Sequence, residues 1–297
     1  MTQPRSTQID YRPAGHVRVR LFCLLLASLC TACAKPSTPT SPTASTGNTT
    51  EAATVIDEPA PMEETPVNEA PVNESPAKVQ PAFAAAPAGK VLRHAVFFSF
   101  KEESSEEDIQ SVVDSFRELP SKVEEIIDFA WGTNNSPEGF NDGYTHCFLL
   151  TFKDEAGRAV YLPHDAHKAF GGVLRPHMKN VFVIDYWGTP SDAALEKELK
   201  HAVFFRFKAD AAAEDIKKVE EAFAALPSKI DTIKAFEWGT NNSPEKHADG
   251  FTHCFLVTFD SEEGRAAYLP HPDHAAFVEI LKPFLDAPRV LDFWAQD

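Results

Sequence analysis

The chain has 297 residues and a formal net charge of −16, with 43% hydrophobic and 24% charged residues. That length allows one to three domains, and the apolar share is enough for a packed core. The charge divides unevenly: residues 1–33 are net +3, residues 34–89 net −5 and residues 90–297 net −14, so the folded part repels phosphate backbones and a nucleic-acid role is excluded.

Arg18-Val-Arg20 precedes the apolar run LFCLLLASLC, which is followed by Thr31-Ala32-Cys33. A basic start, a short apolar core and small residues before a cysteine form an export signal. The run is shorter than the ~20 residues of a spanning helix. The segment 1–33 resembles a bacterial lipoprotein signal peptide, which implies lipidation at Cys33 and a membrane-anchored place in the cell envelope. An ordinary secretory signal without lipid is the alternative. Residues 34–89 hold ten of the 23 prolines and the low-complexity stretch PVNEAPVNESP. Such a composition cannot bury enough apolar surface to offset its ordering entropy, so it reads as a disordered tether.

From His94 the chain repeats itself at an offset of 107 residues. Aligning 94–187 with 201–294 needs no gap, and 51 of the 94 positions are identical, so one domain is written twice, over 90–190 and 197–297. In each copy, HAVFFSF-like alternation marks a first strand. Ser104 or Ser105 caps a helix with an Ile109, Val112, Val113 and Phe116 stripe, ended by Leu119-Pro120. A second strand spans Ile126 to Trp131. The octapeptide WGTNNSPE (131–138 and 238–245) then forms a loop, since Asn-Asn and Ser-Pro favour turns. Asp142-Gly143 turns into a third strand, His146 to Phe152. Helical stretches follow at Glu155–Leu162 and Ala166–Leu174, and a last strand runs from Val181 to Trp187. The order βαββαβ is ferredoxin-like. The fold class is therefore α+β. Each four-stranded sheet has helices on one face only, and the two bare faces cover each other in an intramolecular, pseudo-dimeric barrel. The WGTNNSPE loops are expected to be architectural and to contact the opposite half.

The opening strand His94-Ala-Val-Phe-Phe, the Trp131-Gly-Thr-Asn-Asn-Ser segment, Gly143-Tyr-Thr-His146 and Tyr161-Leu-Pro-His164-Asp-Ala-His167, with their second copies, resemble the stress-responsive A/B barrel family. The resemblance covers each repeat almost end to end and implies the barrel described above. One relative, a plant polyketide cyclase, uses a Tyr and a His of a Y-x-x-H-P-x-H motif without a cofactor. Carried over by motif, these catalytic roles fall on Tyr161 and His167, and on Tyr268 and His274. Copy one has Asp165 in place of the motif's Pro.

His94, His146, His164 and His167 are matched by His201, His253, His271 and His274. His94 and His146 share strand faces with Phe98 and Phe148 and are expected to point to the helices. Together with His164, His201, His253 and His271 they are the expected lining of a small apolar pocket, with the Tyr/His pairs at its mouth. Imidazole suits proton transfer beside a carbonyl and a tyrosine hydroxyl suits the developing oxyanion. Equally, these histidines could hold backbone groups and cap helices in a binding or structural module. His164-x-x-His167 and His271-x-x-His274 have workable metal spacing, but no obvious carboxylate ligand accompanies them. The expectation is no metal and no cofactor. Cys147 and Cys254 are expected as buried thiols, Trp131 and Trp238 as core anchors, and Arg158 and Arg265 as salt-bridge partners of acids across the barrel.

Overall fold

A computed structural model of the chain describes residues 83, 85–191 and 193–297. The expected leader with Cys33, and nearly all of the 34–89 segment, lie outside the described residues. The first repeat comprises β1 (Val91–Phe100), α1 (Glu106–Arg117), α2 (Leu119–Lys122), β2 (Ile126–Thr133), β3 (His146–Phe152), α3 (Glu155–Tyr161), α4 (Asp165–Leu174) and β4 (Met178–Gly188). The second comprises β5 (Leu199–Phe207), α5 (Ala213–Ala224), a short 3-10 turn at Leu226–Ser228, β6 (Ala235–Thr240), β7 (His253–Phe259), α6 (Glu262–Tyr268), α7 (Pro272–Leu281) and β8 (Leu285–Trp294).

Local chemistry explains the boundaries. Ser105 caps α1: its hydroxyl accepts from the Asp108 amide, and the Asp108 carboxylate accepts from the Ser105 amide in return. Such a reciprocal box satisfies two orphan donors of the first turn. The homologous cap position of α5 is Ala212, which offers no side-chain bond. Pro120 does not simply end α1. It stands in the first turn of α2, where its missing N–H costs no hydrogen bond.

Each repeat forms one antiparallel sheet, ordered β2-β3-β1-β4 and β6-β7-β5-β8. The alternation of β1 sorts its side chains as the pleat requires. Val96 and Phe98 join Val112, Phe116, Phe148 and Phe170 in a core beneath the helices. Ala95 and Phe97 turn the other way and meet Ala202 and Phe204 of the second repeat. The Phe97 and Phe204 rings lie edge to face at 5.2 Å between centroids. The two sheets therefore bury each other's bare faces within one polypeptide. Cys147 and Cys254 are free thiols in this shared core, where burial pushes both well above the ordinary thiol range.

The two seams of the barrel close by different means. Between β2 and the end of β8, Trp131 and Gln296 exchange a pair of backbone hydrogen bonds, both 2.9 Å. Gly132 lies against this seam, and a Cβ there would sit 2.5 Å from the Trp294 carbonyl oxygen. Between β4 and β6, Glu237 accepts from the Tyr186 hydroxyl at 2.9 Å and from Arg93 Nε at 3.0 Å. The matching positions across the barrel are Ala130, Phe293 and Lys200, which cannot make that cluster. At one end, Arg289 bonds Asp142 and Asp249, joining the two Asp-Gly turns. Its guanidinium also lies over Phe182 and Phe251.

Candidate functional site

The deepest polar group of the first repeat is a cross-strand pair. The β1–β4 register sets His94 directly opposite Asp185. Imidazole Nδ1 donates to Asp185 Oδ1 at 2.7 Å, and Arg158 Nη1 of α3 donates to Oδ2 at 2.7 Å. Asp185 is fully buried. Burial alone would raise its pKa, but His94 and Arg158 outweigh that and hold it below the usual carboxylate range. For His94, burial pulls downward and the attraction of Asp185 and Glu245 pulls upward more strongly, so the imidazole is shifted up. His201, Asp292 and Arg265 reproduce the arrangement, at 2.7 and 2.8 Å.

The repeated octapeptide completes this site from the other side of the barrel. Asn242 N–H donates to the Asp185 carbonyl at 2.8 Å, and the Asp185 N–H donates to Asn241 Oδ1 at 3.1 Å. Arg158 reaches Asn242 Oδ1 at 2.8 Å. Beyond Ser243 the loop continues through Glu245 to His247, whose carbonyl accepts from Val183 N–H at 3.1 Å. The first repeat's loop does the same for β8: Asn135 N–H donates to the Asp292 carbonyl, Asp292 N–H to Asn134 Oδ1, and Val290 N–H to the Phe140 carbonyl. Each half therefore lends its loop to the other half's site. Arg158 and Arg265 were expected to reach an acid across the barrel. Their acids, Asp185 and Asp292, belong to their own repeats, and what they reach across to is the asparagine of the exchanged loop.

Against this polar base lies a cavity of about 310 Å³ between β1, β4 and helix α4. Val96, Phe98, Phe116, Phe170, Val181 and Val183 form its apolar walls. Its polar groups are His94, Tyr161 and His167 from the first repeat and Glu245 and His247 from the second, with Lys168 and Arg175 also lining it. Phe116 and Phe170 are walls of the space and do not plug it. Tyr161 is completely buried, and its hydroxyl has no hydrogen-bond partner among the described residues. Burial pushes its pKa far up, so it stays a neutral donor. The His167 ring lies 4.4 Å from the Tyr161 ring, centroid to centroid. His167 Nδ1 faces the Leu162 carbonyl at 2.9 Å. A carbonyl only accepts, so Nδ1 carries the proton and Nε2 is the basic nitrogen. Burial lowers the pKa of His167, which keeps it neutral near pH 7. A neutral base beside a neutral phenol can move a proton or orient a bound oxygen.

Among the sequence candidates, His94, Tyr161 and His167 thus come together, as do His201, Tyr268 and His274 in the second repeat, where Tyr268 and His274 are again 4.4 Å apart. The other four histidines are elsewhere. His164 and His271 are N-caps: their Nδ1 atoms accept from the Ala166 and Asp273 amides, because a helix start leaves donors that a nearby acceptor satisfies. His146 sits at the end of β3, edge-on to Phe100 and beside the Thr145 hydroxyl. His253 bonds Glu220 of α5 at 2.9 Å. None of these four lines the cavity. With His164 turned to its helix amide and His167 to the Leu162 carbonyl, the H-x-x-H pair has a structural use. Among the described residues there is no cluster of three or more metal-ligating side chains. Sequence reasoning missed Asp185 and Asp292, although a carboxylate inside the apolar runs VFVIDYW and RVLDFW, repeated at the common offset, is a signal. It also missed Glu245 and Glu138 as site groups.

Comparison with known proteins agrees with this geometry. The stress responsive A/B barrel domain model matches residues 92–188 and again 199–295. A stress-response A/B barrel domain-containing protein of Arabidopsis thaliana, HS1, is 37% identical over 95 residues, 32% of this chain and 87% of its own length. Olivetolic acid cyclase of Cannabis sativa is 26% identical over 95 residues, again 32% of this chain, and 94% of the enzyme. A crystal structure from Fusobacterium nucleatum subsp. nucleatum superposes with a TM-score of 0.50 over 71% of this chain and 94% of that one, and at 11% identity this is a likeness of fold alone. The chain belongs to the stress-responsive A/B barrel domain family and carries two copies of that domain in one polypeptide.

Proposed function

We propose that this protein is a binding module that takes one small, largely apolar molecule into the cavity of its first repeat. The observation that carries this reading is the cavity itself, about 310 Å³ between β1, β4 and α4, with apolar walls and a few polar side chains supplied by both repeats. Apolar walls with few polar groups are the usual make-up of a small-molecule site. Solvent extraction and mass spectrometry of the purified full chain test the reading. A single co-purifying compound, lost in Gly171→Leu, is the expected result. Gly171 lines the cavity, and a side chain there meets first the movable end of Arg175.

A second reading is cofactor-free proton transfer beside a carbonyl, with His167 Nε2 as base and Tyr161 as donor to the oxygen. It is favoured by the neighbouring rings of that pair and by the likeness to a cyclase. Turnover of a β-keto thioester, abolished in His167→Ala, would support it, and no turnover above buffer removes it. The reading as an envelope-tethered protein rests on the Arg18 to Cys33 pattern and the proline-rich 34–89 segment. Metabolic labelling with palmitate checks it: incorporation should vanish in Cys33→Ser.

A further inference from the structure

Where the two halves meet, their residues are not interchangeable. Glu237 of the second repeat is buried at the β4–β6 seam. It accepts from the Tyr186 hydroxyl at 2.9 Å and from Arg93 at 3.0 and 3.3 Å, and both donors belong to the first repeat. Because the repeats align without a gap, the contacts of any other pairing follow from the sequence. Two first repeats would set Ala130 where Glu237 stands. The fully buried Tyr186 hydroxyl and the largely buried Arg93 guanidinium would then lose their shared acceptor at both seams. Two second repeats would set Phe293 and Lys200 opposite Glu237, and Ala295 in place of Gly188. A Cβ at Gly188 would sit 2.6 Å from Glu237 Oε2, so that alanine collides with the carboxylate. The end of the barrel makes the same distinction. Arg289 lies 4.3 Å from the centre of the Phe182 ring, and Phe182 is its own counterpart in the first repeat. Two second repeats would bring two buried guanidinium groups together there, and two first repeats would supply none to bridge the Asp-Gly turns. A buried charge without its partner is strongly destabilising, and such mismatches are a source of partner specificity.

We propose that the inner sheet faces are a surface selective for the unlike half: each repeat accepts a repeat of the other type and rejects a second copy of itself. Its partner is the opposite half of the same chain, or of a second copy of the chain. Glu237 and Arg289 are the residues that set this choice.

The test has two parts, both made on the full chain. In the first, a protease site is placed in the 189–198 connection, and the cut chain is unfolded in urea, refolded and weighed by native mass spectrometry. Random pairing would make half of the dimers unlike, whereas nearly all are expected to be. Like pairs in the random proportion overturn the proposal. The second part needs no cut. Glu237→Ala recreates the seam of two first repeats in the intact chain and should lower the urea midpoint by about 1 M. Adding Tyr186→Phe and Arg93→Lys copies the residues of the opposite seam, Ala130, Phe293 and Lys200, and should recover most of that loss. A general packing role for Glu237 would give no such recovery. An unchanged midpoint in Glu237→Ala, or no recovery in the triple variant, overturns the proposal whether or not the cut halves refold.

Discussion

The two repeats share their buried framework and differ at its mouth. Both keep the His–Asp–Arg base, the Tyr/His pair and the exchanged Asn-Asn loop. In the first repeat the space above this base is lined by Gly171 and His247. The matching positions of the second are Val278 and Phe140, and both pack against the second repeat's core. Glu138, the counterpart of Glu245, is shifted upward by burial, although both side chains are 23% exposed. Framework groups that hold loop to strand are thus used on both sides, while the residues at the mouth differ between them. Duplication inside one chain permits this: each half can vary without altering both sites, which a symmetric homodimer cannot do.

The sharpest way to break the comparison is at the shared base. Asp185→Ala leaves Arg158 and His94 buried without their acid and should cost about 3–5 kcal/mol in urea unfolding. Asp292→Ala should cost a similar amount if the base is structural in both halves. A markedly smaller loss in either variant would show that the two bases are not equivalent. Next come the mouth exchanges. Gly171→Val with His247→Phe should lower affinity for an apolar probe at least tenfold, about 1.4 kcal/mol. Val278→Gly with Phe140→His should raise the stoichiometry from one to two per chain in the same titration.

The histidines supply a pH test with opposite signs. His94 and His201 have folded pKa values above the reference of 6.5. Their stabilising contribution is complete below that reference and fades as pH rises through the raised folded value. His167 and His274 are lowered by burial. Their contribution is present above the reference and is lost as pH falls through the lowered value. NMR titration of the imidazoles should give midpoints above 6.5 for the first pair and below it for the second. The smallest effects concern single polar groups. Ala212→Ser should supply the cap that α5 lacks, worth about 1 kcal/mol in thermal unfolding. Tyr161→Phe removes an unpartnered hydroxyl and should leave stability equal or slightly higher. A clear loss would mean that the hydroxyl has a partner in the folded chain.

Much of this architecture is legible along the chain. The alternation in β1 sorted Val96 and Phe98 from Ala95 and Phe97, and with them the two faces of the sheet. The gapless offset implied that those faces meet. Tyr161 and His167 were legible as a pair through the motif that the chain shares with its family, Tyr161-Leu-Pro-His164-Asp-Ala-His167. The roles of His164 and His271 were not, since the letter His does not say whether a ring turns to a pocket or back to an amide at its own helix start. Asp185 interrupts an apolar strand, and only the register sets it opposite His94, 91 residues away.

By itself the sequence determined periodicity, punctuation and duplication, because strand and helix patterns depend on neighbours within a few residues. Only the tertiary structure decided which carboxylate meets which histidine, that each loop serves the opposite half, and that Gly171 and His247 border a cavity where Val278 and Phe140 pack against the core. Those outcomes depend on side chains brought together from far along the chain, and packing and burial settle them.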